Sequence, residues 1–217
     1  ILRSWGFDYS VDAPGAAIFA VFFWRWHQHV VRVRFPEALA QLVQDSGWGL
    51  SSALLHGDPT GWFESDAQRL ETMAMAMTEA LDWLTDRLGN APETWQWGRI
   101  HRLGTVHPVA RTPLQHEFFD LVPTPHPGGP GVLNSAFYLP PGSFDTRIGP
   151  IYRIVASLGP DAPTESVSWP GQSGHAGSPH YADQIDRHIG GEYFELPFAW
   201  DAVVRQAVSR TTLAPAD

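Results

Sequence analysis

The 217-residue chain carries 23 acidic side chains against 14 basic ones, a formal net charge of −9, and no cysteine. These values exclude thiol catalysis, disulfides and Cys-ligated zinc within the chain. With no basic run present, they also argue against nucleic acid as a partner. An apolar share of 43%, including ten Trp and twelve Phe, supplies a real core and not a disordered tail.

In chain order, Asp12 is expected to cap a helix that begins at Ala13-Pro14, where proline's missing N–H does no harm. Ala16 to Val31 reads as a helix apolar on most faces and therefore buried. Its longest apolar run, Ala16–Trp24, is far short of the roughly 20 residues that span a bilayer, and it lacks signal-peptide features. Pro36 opens a second helix through Val43, broken at Ser46-Gly47, and Gly57–Gly61 is a loop. The strongest helix prediction is Asp66–Leu88. Ser65 and Gln68 have capping-box spacing, and Gly89-Asn90 stops the helix. Leu70, Met73, Met77, Leu81, Leu84 and Leu88 alternate threes and fours as one packing stripe.

From Pro92 the pattern changes, because repeated proline and glycine interrupt short apolar runs. Val132–Leu139 and Ile151–Leu158 are expected strands, and Ser166–Trp169 a short third. A C-terminal helix over about 199–210 would place Trp200, Val203, Val204, Ala207 and Val208 on one face. The helical part, about 1–91, and the strand/loop part, about 92–198, are joined by no polar linker. A single packed section over 1–217 is therefore expected.

Several clusters could carry chemistry. His27 and His29 are two apart on a helical run, where they point in different directions, so a helix-end or surface role outweighs metal binding. His101 and His107, among Arg99, Arg102 and apolar residues, read as buried structural hydrogen-bonding groups. His116-Glu117 has no spaced third ligand for zinc. The stretch Pro170–Gln184 gathers Gln172, Ser173, His180, Tyr181, Asp183 and Gln184 among glycines that permit tight turns or close backbone approach. Those six form a possible pocket wall or structural brace. A Ser173-His180-Asp183 triad lacks the nucleophile elbow such a site needs. The many tryptophans allow a rival reading as a carbohydrate- or protein-binding module. Trp24, Trp26, Trp83, Trp97 and Trp200 lie in or beside apolar runs, however, and are expected in the core.

Pro170–Gln184 (PGQSGHAGSPHYADQ), followed by Gly190-Gly191-Glu192-Tyr193 and Leu196-Pro197-Phe198, resembles the C-terminal region of the penicillin acylase (penicillin amidase) family. Further patches are similar to that family in the same order. They are Leu2-Arg3-Ser4-Trp5 with Ala16–Phe19, Trp97–His101 with His107-Pro108, Val132–Ala136, and Gly149–Arg153. Two local departures, Pro127–Gly131 without an acidic residue and the compact His175-Ala176-Gly177, bear on substrate preference.

The resemblance implies an α+β fold: part of the four-layer αββα sandwich of an N-terminal nucleophile hydrolase, here the last part of its large subunit. It implies precursors that cut themselves and hydrolysis of an N-acyl amide by an N-terminal serine. Because this chain opens Ile1-Leu2-Arg3, that serine and the oxyanion asparagine are expected upstream, and Asn134 is not assigned the oxyanion role. No catalytic residue, metal or cofactor is expected in the chain, which alone is predicted inactive. The implied partners are the acylase chain or chains carrying the serine and a small N-acyl amide substrate. Nucleic acid and a transmembrane segment are not expected, and a periplasmic or secreted location is implied by resemblance. An inactive acylase remnant is the remaining alternative.

Overall fold

The computed structural model describes residues 1–44, 46–138, 143–159 and 163–215, with the backbone alone for Gln41. Helices and strands are mixed, and the chain divides into two compact units, Ile1–Gly149 and Pro150–Asp217.

The first unit is built around helix α1, Pro14–Arg34, which is buried on most of its faces. Pro14 occupies its first turn, and Pro36 ends it by forcing Phe35 into extended backbone. The N-cap position falls on Ala13, so Asp12 lies one residue too early to cap. Its carboxylate instead accepts from Gln96 Nε2 at 3.0 Å. Helix α2 spans Glu37–Val43, and Asp66–Leu88 forms the longest helix, α4, with the predicted bounds. Ser65 Oγ accepts from Gln68 N–H at 3.1 Å, while Gln68 Oε1 reaches past it to Glu64 N–H at 2.8 Å.

The expected stripe of α4 is present in part, with Leu84 buried and Met73, Met77 and Leu88 packed against the core. Ala76, Ala80 and Leu84 are fully buried beside α1, whereas Leu70 is 50% exposed and Leu81 also lies at the surface. Small side chains let the two helix backbones approach, which moves the larger residues to the flanks. Helix α3, Trp48–His56, was not anticipated. It follows Gly47 at φ 78° with no side-chain cap, so its start carries no sequence signal. Its C-terminal carbonyls are satisfied from a distance in sequence. Buried Arg69 donates to Leu54 O at 3.0 Å and Leu55 O at 3.3 Å, and pairs with Asp66 at 2.7 Å.

Strands β1, Arg102–Thr105, and β2, Leu121–Pro125, pair antiparallel with an irregularity at Gly104. Helix α5, Pro113–Phe119, lies between them. The expected strand at Val132–Leu139 does not form. Isolated bridges, Gly129 with Ser135 and Phe137 with Ile148, replace it, because the Gly/Pro-rich flanks bring no partner strand alongside. Leu139 and Pro140-Pro141-Gly142 lie outside the described residues.

The second unit holds an antiparallel sheet ordered β3-β4-β5, from Tyr152–Ala156, Thr164–Ser168 and Phe194–Leu196. The two expected strands are present, each offset by a residue or two at its ends. Helix α6, Ile185–Gly190, packs on β4, where Val167 is buried. The opposite face carries Tyr152, Ile154 and Phe194, all exposed, with Ile154 and Phe194 on either side of Ser166 and Tyr152 opposite Ser168. Helix α7 covers only Trp200–Gln206 and is shorter than expected. Trp200, expected in the core, is 74% exposed, and Val204 and Val208 are exposed as well.

Candidate functional site

The glycine-rich stretch between β4 and α6 folds back on itself. The N–H groups of Gln172 and Ser173 both donate to the His180 carbonyl at 3.0 Å, and Gln184 N–H donates to Pro170 O at 3.1 Å. Gly171 makes this possible, since a Cβ there would run into the His180 carbonyl. The Trp169–Pro170 peptide bond is cis. Gln184 is buried, and its side-chain oxygen accepts from Ser168 N–H at 2.7 Å, tying the end of the loop to β4. Below it His188 is fully buried with its ring edge-on to Trp169, 5.5 Å between centroids. Burial pushes the His188 pKa down, helped by the nearby Arg153 guanidinium, although a hydrogen bond to Pro150 O opposes the shift.

The six residues singled out from the sequence are thus gathered in one loop, with different exposures. His180, Gln172 and Asp183 are exposed, Ser173 and Tyr181 are half-buried, and Gln184 is buried. The His180 ring turns to Asp183 at 2.8 Å. The Ser173 hydroxyl accepts from His175 N–H at 3.1 Å, and its own N–H is bound to the His180 backbone. This is the geometry of a braced loop and not of a serine activated by an imidazole, which needs the hydroxyl on the ring nitrogen.

A second cluster lies in the first unit, around the Trp97-Gly98 turn. Trp97 is fully buried, donates Nε1–H to Gly128 O at 2.9 Å and stacks on His101 with centroids 4.4 Å apart. Gly98 lets the turn close on Val11, whose carbonyl accepts from Gly98 N–H at 2.7 Å. His101 Nδ1 lies 2.6 Å from Phe144 O and its Nε2 lies 3.2 Å from the Thr146 hydroxyl. Burial drives its pKa down to about 4 against that carbonyl, so the ring is neutral at pH 7. His101 therefore has the structural role expected of it. His107 is only half-buried and sits against Phe119, 5.0 Å between ring centroids, with the Asp120 carboxylate on its N–H. Asn134 clamps its own loop, donating to Pro127 O at 3.0 Å while its carbonyl accepts from Gly129 N–H.

His27, expected at a helix end or surface, is instead buried within α1. It bonds to the Ser51 hydroxyl at 2.7 Å and to Gln44 O at 2.9 Å, and stacks on Trp48. Sequence reasoning missed this because α3, which supplies two of the partners, was itself not legible. His29 pairs with Glu79 at 3.0 Å and His116 with Asp120 at 2.9 Å. Among the described residues no three His, Asp or Glu side chains come together as a metal site, and no helix is long and apolar enough to cross a membrane.

The model for the penicillin amidase family matches residues 1–205. The chain belongs to the penicillin amidase family. Its relatives include the acyl-homoserine lactone acylase QuiP of Pseudomonas aeruginosa, 30% identical over 158 residues, or 66% of this chain and 18% of that protein. A penicillin acylase 2 proenzyme from a Pseudomonas strain is 27% identical over 174 residues, covering 80% of this chain and 21% of the proenzyme. The chain thus spans about a fifth of the length of these curated relatives. Among solved structures, a thermostable penicillin G acylase from Alcaligenes faecalis aligns with 94% of this chain and 39% of its own, at 18% identity and a TM-score of 0.48.

Proposed function

We propose that this chain is the C-terminal section of an acylase large subunit, part of an enzyme that hydrolyses N-acyl amides. The observation that carries the reading is the family match across residues 1–205, which includes the whole braced loop. The nucleophile in this reading is a serine at the start of another chain or segment, exposed by self-cleavage, with its free α-amine as base. Such an amine has an unperturbed pKa of about 7.7–8.0 and so is available near neutrality. The oxyanion donors also come from outside this chain, and no cofactor takes part. The β3-β4-β5 sheet belongs to the four-layer αββα sandwich. Gln172, Ser173, His180, Tyr181, Asp183 and Gln184 brace the wall of the acyl site through their loop and do no bond-making themselves.

For the substrate, the names of the relatives favour an N-acyl homoserine lactone first and a penicillin second. The carbohydrate-binding alternative is not favoured. Trp200 is the one exposed tryptophan of the ten, so among the described residues there is no row of exposed tryptophan rings for a sugar to stack on. The test purifies the full protein, sequences its polypeptides by mass spectrometry and measures amine release from both substrate classes. A companion polypeptide or segment beginning with serine, together with turnover that the 217-residue chain alone lacks, is the expected result. A stable monomer with no such companion and no turnover would overturn the proposal.

A further inference from the structure

In a chain of net charge −9, three arginines line one open depression of the first unit. Arg87 comes from α4, Arg99 from the turn after Trp97, and Arg102 from the first position of β1. The depression has a volume of about 350 Å³, within the range of small-molecule sites. Its apolar floor includes Trp83, Ile100 and Phe144. Among the described residues none of the three arginines forms an ion pair.

Two of the guanidiniums are held in place by uncharged groups. Arg87 lies over the Trp83 ring, 4.3 Å from its centroid, and Trp83 is braced edge-on by Phe144 at 5.3 Å. Arg99 donates to the carbonyls of Thr94 at 3.2 Å and Leu88 at 3.4 Å. The one carboxylate at the rim, Asp145, is itself engaged by the Ser143 hydroxyl at 2.6 Å. Like charges gathered around a hollow repel one another until an anion enters, and a guanidinium matches a carboxylate with two parallel hydrogen bonds.

We propose that this depression binds a carboxylate with an aromatic or short alkyl body. The charged end lies among Arg87, Arg99 and Arg102, and the apolar body rests on Ile100, Phe144 and the edge of Trp83. A bare inorganic anion would leave that floor unused, and a neutral amide of the same shape would forgo the guanidiniums. This proposal does not rest on the acylase reading.

Fluorine NMR of the full protein carrying fluorotryptophan tests it, with the Trp83 signal assigned by its loss in Trp83→Phe. The Trp83 signal should move saturably with phenylacetate and at least about tenfold less readily with phenylacetamide or inorganic phosphate. In Arg87→Gln/Arg102→Gln the phenylacetate midpoint should rise by about tenfold or more, and the dispersion of the other tryptophan signals should be kept. Because the signal is local, binding at any other site in the protein does not mimic it. An unmoved Trp83 signal, equal response to phenylacetamide or phosphate, or an unchanged midpoint in the double variant would each overturn the proposal.

Discussion

At the scale of single residues, His101 makes the sharpest demand on pH. Its ring is sealed between Trp97, Phe144 and Thr146, and burial holds its pKa at about 4 against an ordinary value near 6.5. A base whose folded pKa is depressed favours folding above its unfolded pKa, because only the unfolded chain takes up the proton below it. The stability it secures is therefore complete above about pH 6.5 and is lost as pH falls towards 4, by at most about 3 kcal/mol. Denaturant titrations at a series of pH values should show that loss, and His101→Gln should be less stable at pH 7 but flatter across the window. His188 contributes in the same direction, so the informative quantity is the difference between parent and variant. His101 was legible as a buried structural group from its apolar neighbours, whereas His188 drew no reading. Nothing local announces the hydrogen-bond partners of either ring, Phe144 and Thr146 for His101 and Pro150 for His188, which lie more than 30 residues away.

At the scale of elements, legibility followed how local the determinants are. Helix α4 was read with its full bounds because Ser65 at one end and Gly89 at the other are neighbours of the residues they cap. Helix α5 carried an equally local signal that went unread: Thr112 and Gln115 form a complete capping box, with Pro113 in the first turn. Helix α3 had none, since its end is closed by Arg69 from another helix. The inward face of α4 was read in part: Met73, Met77, Leu84 and Leu88 pack in the core, whereas Leu70 and Leu81 lie at the surface. Periodicity reports which residues are apolar, while the distance to the neighbouring helix decides which of them fit. Ala80 is wholly buried beside α1, so Ala80→Leu should cost about 1–3 kcal/mol by overpacking. Ala80→Gly should cost about 1 kcal/mol through backbone entropy alone. Comparable urea midpoints for Ala80→Leu and the parent would mean that the helices are not closely packed there.

At the scale of the whole molecule, the family was legible because its patches are strung along the chain in order, although no single patch is decisive. The candidate loop was legible as a loop, and its glycines correctly marked a close backbone approach. The division of labour inside it was not, because the pairing of Gln184 with β4 depends on a fold-back that spacing alone does not reveal. Which apolar residues stay exposed, among them Tyr152, Ile154, Phe194 and Val204 of α7, was not legible, because periodicity marks apolar residues and not what covers them.

One feature of the first unit has a mechanical consequence. His101 Nδ1 lies 2.6 Å from Phe144 O, and Arg102 O accepts from Thr146 N–H at 2.8 Å, so the two ends of the intervening segment are fastened side by side. The rim of that segment, Val106 to Leu114, is largely exposed, while Gly128 and Tyr138 farther along are buried. A protease that cuts the rim should leave two fragments on a denaturing gel that still migrate as a single body under native conditions.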